Sequence, residues 1–388
     1  MKLYSNIILF VSALLFALLN ISNHLEVAKI DGETPKTSII TITAVGDLMC
    51  HSPQFEFAYV EADSFDFTPT FSEVKKYFDS SDFVFGNLET VTAGKEKHYS
   101  GYPYFNSPDD YLISLKKAGF NFLFTSNNHC MDRGETGIRR TLEKLNENQI
   151  SSTGTFSSQE KRDSIQIISA KGIRFAVLAY TYGTNGNSLP KGKKYLVNKI
   201  SDSLLTHDIQ KAKSDSVDFI LVYFHFSEEY QREPNHYQKD VVQTAIDAGA
   251  DIILASHPHV IQPVQFFQKD STNRSSGKLD SGFIAYSLGN FISNQQWRYS
   301  DAGVILQFQI TKNLTSNALH IDQVSFTPTW VFKGRIDGKR EYRVIPYTMS
   351  ADKYPYLSQR DFRKMNQSFQ DSKQILQKYS SSIQLKEK

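Results

Sequence analysis

Cysteine is almost missing from this 388-residue chain, with only Cys50 and Cys130 present, so a disulfide framework is excluded as the basis of its stability. An excess of charge of one sign is missing as well. Lys and Arg number 43 against 41 Asp and Glu, a formal net charge of +2, and a near balance of this kind leaves no broad electrostatic footprint for nucleic acid, which is not expected as a partner. Long hydrophobic runs are confined to Ile7–Leu19, short of the about 20 apolar residues that a membrane-spanning helix needs. No segment repeats at a fixed period.

What is present begins with that run. A single Lys2 precedes it and a polar stretch, Asn20 to His24, comes after it, the layout of a secretory signal peptide. Residues 1–24 are therefore read as a signal peptide. With no clear small-x-small cleavage site, an uncleaved N-terminal anchor is the alternative, and no cysteine stands after the run to accept a lipid. The protein is expected to be exported, to the periplasm or cell envelope, where Cys50 and Cys130 can oxidise to a disulfide. Residues 25–38 read as a linker.

From Ile39 onward short apolar runs alternate with helical patterns, the rhythm of an α/β domain. The expected strands are Ile39–Val45, Asp82–Phe85, Phe120–Thr125, Arg174–Tyr180, Asp218–Phe224, Asp251–Ala255 and Phe283–Ser287. Helical patterns fall at about Pro108–Ala118, Glu135–Asn148, Asp202–Ser214 and His236–Ala248, with Gly119 and Gly249 where helices should stop. The main domain is placed at 39–310. Residues 311–350 read as antiparallel strands completing the second sheet, and 351–388 as a C-terminal helix with a loose tail of nine residues. A polar loop is expected over 269–281.

Five strand ends carry the chemistry. Asp47 comes after the first strand, Asn87 and Glu89 after the second, and Asn128, His129 and Asp132 after the third. His225, with Glu229 close behind, ends the fifth, and His257-Pro258-His259 the sixth. In open α/β sheets ligand sites form in the crevice outside the carboxyl ends of the strands. Any one polar residue there serves well as a cap or turn former, but five ends offering Asp, Glu, Asn or His point to a metal or catalytic cluster. Imidazole and carboxylate donors suit divalent manganese, zinc or iron. Asp132 either accepts the ring proton of His129 or caps the next helix. Glu229 is expected to orient His225, and Asn290 to touch the site or satisfy a turn. Trp297 and Tyr299 line a groove or simply pack.

The segments AVGDLM, GNLE, SNNHCMDRGETGIRRTL, HFSEEY, AGADIILASHPHVIQPV and YSLGNF, in this order over about residues 40–300, resemble the bacterial capsule-synthesis CapA family, also called the poly-γ-glutamate synthesis PgsA family. That family is similar to the calcineurin-like metallophosphoesterases. The resemblance implies an α/β (α+β) fold, a four-layer αββα sandwich of two mixed sheets flanked by helices over a two-metal centre. It also implies that Asn128, His225 and His257 serve one divalent ion and Asp47 and His259 the other, with Glu89 between them and His129 as general acid. The chemistry expected is metal-assisted hydrolysis of a phosphoester, amide or γ-glutamyl bond in a cell-envelope polymer.

Three positions depart from the metallophosphoesterase pattern. Met49 stands where a histidine ligand comes after the first aspartate, and His51, two residues on, is the nearest substitute. Asn87-Leu88-Glu89 replaces the second-motif aspartate, and Ser256 stands before His257 in place of glycine. The first two weaken one site and leave open one ion or two. They also keep alive a different role, a non-catalytic accessory component of a membrane capsule or poly-γ-glutamate synthesis and export complex.

Overall fold

The alternation Ile40, Ile42, Ala44 puts one face of the first strand into a buried core, as the two-residue period of a strand requires. The computed structural model describes residues 36–269, 279–380 and 383–385. The expected signal segment 1–24, nearly all of the linker 25–38 and most of the loop 269–281 lie outside the described residues. β1 spans Thr37–Leu48, so the last two linker positions belong to the strand. A short hairpin, β2 (Tyr59–Glu61) and β3 (Ser64–Phe65), precedes β4 (Phe83–Leu88), β5 (Phe122–Phe124) and β6 (Ser151–Thr153). Next come β7 (Gln166–Ala170), β8 (Ile173–Thr181), β9 (Phe219–His225), β10 (Ile252–Ser256), β11 (Val264–Gln268) and β12 (Ser281–Ala285). The last strands are β13 (Asn290–Ile292), β14 (Ala302–Asn313), β15 (Leu319–Ile336), β16 (Lys339–Pro346) and β17 (Gln384–Leu385).

Two mixed sheets result. The first runs β16-β15-β14-β1-β4-β5-β6, with β13 beside β1 and β17 beside β15; the second runs β11-β12-β10-β9-β8-β7. β1, β4, β5 and β6 are parallel, as are β8, β9, β10 and β12. The antiparallel strands expected in the second sheet instead extend the first one from β1 through β14. That pairing joins residues more than 250 positions apart (Thr37 with Asn313), and nothing local in either strand announces it. The expected loose tail also contributes β17, which pairs with β15.

The sheets face each other through one core that contains Phe85, Phe124 and Phe308 from the first and Phe175, Tyr223 and Phe283 from the second. Phe124 stacks on Tyr223 with ring centroids 4.1 Å apart. The outer face of the first sheet, Val45, Leu48, Val84 and Leu123, packs on Tyr111, Leu112 and Leu115 of the helix Asp109–Ala118. The outer face of the second, Ile220, Val222 and Phe224, packs on the helices Asp202–Ser214 and His236–Ala248. The architecture is the four-layer αββα sandwich. Strands buried on both faces read as continuous apolar runs, which is why FILVYF in β9 shows no alternation.

Helix ends obey their sequence signals. Asn235 caps His236–Ala248 by accepting from Gln238 N while the Gln238 side chain returns to the Asn235 N–H, a capping box. Gly249, at φ 120°, ends it in a conformation that a Cβ disfavours. Among the described residues no helix is long and apolar enough to cross a membrane.

A candidate metal centre at the carboxyl ends of the strands

Register places the candidate ligands. In the second sheet His225 lies opposite both Thr181 and Ser256, so the chain leaves β8, β9 and β10 at one level. In the first sheet Asp47 lies opposite both Asn87 and Asn290. Gly46 permits this approach: a Cβ there would sit 1.9 Å from the Gly289 carbonyl oxygen, and Asp47 N donates to that same oxygen at 2.9 Å. Asp47, Glu89, Asn128, His129, His225, His257 and His259 are all buried.

The structure brings these side chains together. Two sets of ligand atoms each fall within 4.8 Å of one another: Glu89, His225 and His257 form one, and Asp47, Glu89 and His259 the other. Glu89 is shared. Its Oε1 lies 3.6 Å from His225 Nε2 and 3.8 Å from His259 Nε2, yet has no hydrogen-bond partner. His257 Nδ1 is likewise buried and unpartnered. Asn128 Oδ1 joins the first set, accepting from His225 Nε2 at 2.8 Å.

The surrounding bonds fix which atoms face inward. His259 Nδ1 donates towards Asp47 Oδ2 and Asn290 Oδ1, both at 3.1 Å, leaving the Nε2 lone pair on the Glu89 side. Asn87 Nδ2 donates to Asp47 Oδ1 at 2.8 Å and to Glu89 Oε2 at 3.2 Å. Asn127 Nδ2 in turn holds Asn87 Oδ1 at 3.1 Å, and its own side-chain carbonyl accepts from His129 N. Backbone strain sits here too. His257 and His259 have φ of 106° and 56°, and a non-glycine residue in such a region costs on the order of 1–3 kcal/mol and persists where the surroundings enforce it.

Charge balance is lopsided. Burial holds the His257 ring down to about 3 and, with the neighbouring histidines, His225 well below its usual range, so both rings are neutral. Burial and the nearby Asp47 charge push Glu89 well above the usual carboxylate range. Burial also acts to raise Asp47, but the hydrogen bond and charge of His259 outweigh it and hold Asp47 low. Among the described residues no lysine or arginine pairs with either carboxylate. Buried carboxylates of this kind need a cation or a proton, and the unpartnered oxygen and nitrogen point to the same gap. The donor set fits a divalent ion.

Beside the cluster, His129 Nδ1 donates to Asp132 Oδ2 at 2.8 Å, and that oxygen also takes the Phe105 N–H at 2.8 Å. Asp132 therefore orients His129 rather than capping the helix Gly134–Glu147, whose N-cap residue is Arg133. Phe105 stands edge-on to the imidazole, centroids 4.7 Å apart.

Other expectations fail. Glu229 is exposed and does not touch His225. The Tyr223 hydroxyl, at 3.3 Å, holds His225 Nδ1 instead, because the chain turns away at Ser227, φ 100°. Met49 is buried with its sulfur 3.6 Å from Ser293 Oγ, and offers the cluster no donor. His51 does not replace it: it belongs to neither ligand set, and its ring stands edge-on to Phe105 with centroids 5.1 Å apart. Asn290 does lie against His259, while Trp297 is exposed beside Tyr230. Tyr299 packs between Arg232 and Arg298. Asn127, Tyr223, Tyr182 and Asn185 belong to the site without having been expected there. The Tyr182 ring lies 4.6 Å from that of His257, and Asn185 reaches both Asn128 Nδ2 (3.2 Å) and His129 Nε2 (3.4 Å).

The expected disulfide does not form. Cys50 and Cys130 are free and buried, Cys50 among Leu48, Phe67 and Tyr111 and Cys130 among Met131, Ile138 and Leu196. They leave adjoining loops for different apolar clusters. Burial pushes each thiol up to about 12, which removes the reactive thiolate. Iodoacetamide at about pH 8 is expected to leave the native protein unlabelled and to modify both thiols once guanidinium unfolds it. Intact mass reads the difference, and prompt native labelling would contradict the packing.

The chain is similar to several known proteins. A model of the family described as bacterial capsule synthesis protein PGA_cap matches residues 41–295. The chain is 27% identical over 333 residues to the capsule biosynthesis protein CapA of Bacillus anthracis, covering 83% of this chain and 76% of that protein. It is 29% identical over 337 residues to the PGA biosynthesis protein CapA of Bacillus subtilis (strain 168), with 81% and 80% covered. Among solved structures, the NAD nucleotidase of Haemophilus influenzae aligns with a TM-score of 0.45 at 12% identity, over 90% of this chain and 64% of that one. The family match begins within β1 and runs past Asn290, taking in every strand end of the cluster, and the chain belongs to this bacterial capsule synthesis family.

Proposed function

We propose that this chain is an exported, divalent-metal-dependent hydrolase that cleaves a phosphoester, amide or γ-glutamyl bond in capsule, poly-γ-glutamate or other cell-envelope polymer metabolism. One observation carries the reading: Glu89 Oε1 and His257 Nδ1 are buried, unpartnered and part of one converging ligand set. The names of the two CapA relatives support the polymer context, and Lys2 with the apolar run Ile7–Leu19 supports export.

Asn128, His225 and His257 would hold one ion and Asp47 and His259 a second, with Glu89 common to both; manganese, zinc or iron suits these donors. When bound, such ions acidify water and polarise the phosphoryl or carbonyl oxygen under attack. The protein's own groups do the rest. His225 would serve such an ion through Nε2, and its ring proton would then sit on Nδ1, facing the Tyr223 hydroxyl at 3.3 Å. Asp132 fixes the His129 ring through Nδ1, so that Nε2 is the atom able to pass a proton to the leaving group. Tyr182 covers His257 and limits water on that side.

The second reading, an accessory component of a membrane synthesis and export complex, is favoured by Met49, which contributes packing where a ligand would complete the pattern. Elemental analysis of the purified wild type, His225→Ala and His257→Ala separates these cases. About one to two ions per chain are expected in the wild type and a large loss in both variants. A wild-type protein that stays metal-free after reconstitution with manganese or zinc would sink the metal centre. Turnover of a phosphodiester or a γ-glutamyl oligomer then decides between hydrolase and accessory component.

A further inference from the structure

The loop from Tyr182 to Lys199 lines an open concavity of about 1440 Å³. Two of its lining residues also belong to the candidate centre: Tyr182 packs on His257, and Asn185 reaches His129 Nε2 at 3.4 Å. The cavity therefore adjoins the candidate centre through these two residues, although no candidate ligand itself lines it. Lys191, Lys194 and Lys199 line it, all exposed and none within ion-pair distance of a carboxylate among the described residues. Their neighbour Lys193 is different: it reaches Glu135 at 2.7 Å and does not line the cavity. The other charged lining groups are already engaged. Arg162 is bound to Asp208 at 2.6 Å, His207 meets the same aspartate at 3.2 Å, and the Asp163 carboxylate accepts from Gln159 at 2.8 Å.

Three unpaired cations around one concavity raise the local concentration of anions. We propose that this cavity is a substrate subsite for anionic oxygens, carboxylate or phosphate, carried by a chain whose neighbouring bond lies at the Glu89–histidine cluster. The subsite's place in catalysis rests on the hydrolase reading of that cluster. Lys191, Lys194 and Lys199 are its specificity-determining residues, and the centre itself supplies no lysine or arginine to recognise a charged chain.

Calorimetric titration tests it, using a short γ-linked glutamate oligomer as the carboxylate probe and a short-chain polyphosphate as the phosphate probe. The proteins compared are the wild type, the triple variant Lys191→Ala, Lys194→Ala, Lys199→Ala, and His257→Ala. The wild type and His257→Ala are expected to bind one of the two probes, which names the anion. The triple variant should bind it about tenfold more weakly, three exposed ion pairs being worth about that much together, with a shallower salt dependence and unchanged metal content. A γ-linked glutamine oligomer should not compete. Equal affinity in the triple variant, or no binding of either probe by the wild type, overturns the subsite. Failure of the hydrolase reading looks different: both probes are tested without turnover, and His257→Ala would still bind while the wild type cleaves nothing.

Discussion

Replacing Glu89 by glutamine is expected to make the metal-free protein more stable than wild type and the metal-loaded protein less stable. Glu89 is fully buried, its Oε1 has no hydrogen-bond partner, and Asp47 stands near enough to raise its proton affinity. An unsatisfied buried polar group costs about 1–3 kcal/mol, and a second carboxylate beside it adds repulsion. Glutamine keeps the shape, removes the charge and turns an N–H towards the lone pair of His259 Nε2, now 3.8 Å from that oxygen. In chelator the variant should therefore unfold at higher urea, by an amount in that range. Excess manganese or zinc inverts the order. An ion that binds only the folded state at a thousandfold its dissociation constant adds about 4 kcal/mol, and the variant, lacking the ligand common to both sets, gains little of it. Urea unfolding of both proteins, with chelator and with metal, gives four midpoints. The same ranking in both conditions would mean that Glu89 is an ordinary buried carboxylate and not the shared ligand.

The candidate ligands were legible because each sits at or just past the end of an apolar strand. Asp47, Glu89, Asn128, His225 and the His257-Pro258-His259 turn each come just after an apolar run, and parallel strands bring such positions to one edge. Inference from nearness in sequence failed. Glu229 lies four residues past His225 but is carried away by the Ser227 turn, whereas Tyr223, two residues before it on the same strand face, supplies the hydroxyl. Tyr223 reads as core and is core; its polar end is what the sequence hides. Asn185 and Tyr182 lie in a loop rich in Gly, Asn and Lys with no period to read, and only the fold shows which of those residues point inward. The place of β14–β16 was unreadable for a related reason, since register between distant strands is set by the assembled core and not by either strand. Cys50 and Cys130 belong to adjoining ligand loops, but each side chain points to the apolar cluster behind its own loop.

Turnover by His129→Gln is expected to fall about 10²–10⁴-fold, the usual worth of a general acid, with metal content unchanged. Asp132→Asn should fall less. It keeps an oxygen to accept from His129 Nδ1 and from the Phe105 N–H, both now 2.8 Å from Asp132 Oδ2, but loses the negative charge that favours a proton on the ring. The discriminating measurement is the leaving group. An ester of an acidic phenol departs without a proton, so His129→Gln should cleave it nearly as well as wild type, while an alkyl ester or amide shows the full loss. A steeper dependence on leaving-group acidity in both variants than in wild type assigns His129 the proton and Asp132 its positioning. Uniform loss across leaving groups would instead make His129 a structural wall of the site. The proton would then have to come from bulk water, since Asn185, the other group within reach of His129 Nε2, carries an amide too weakly acidic to deliver one.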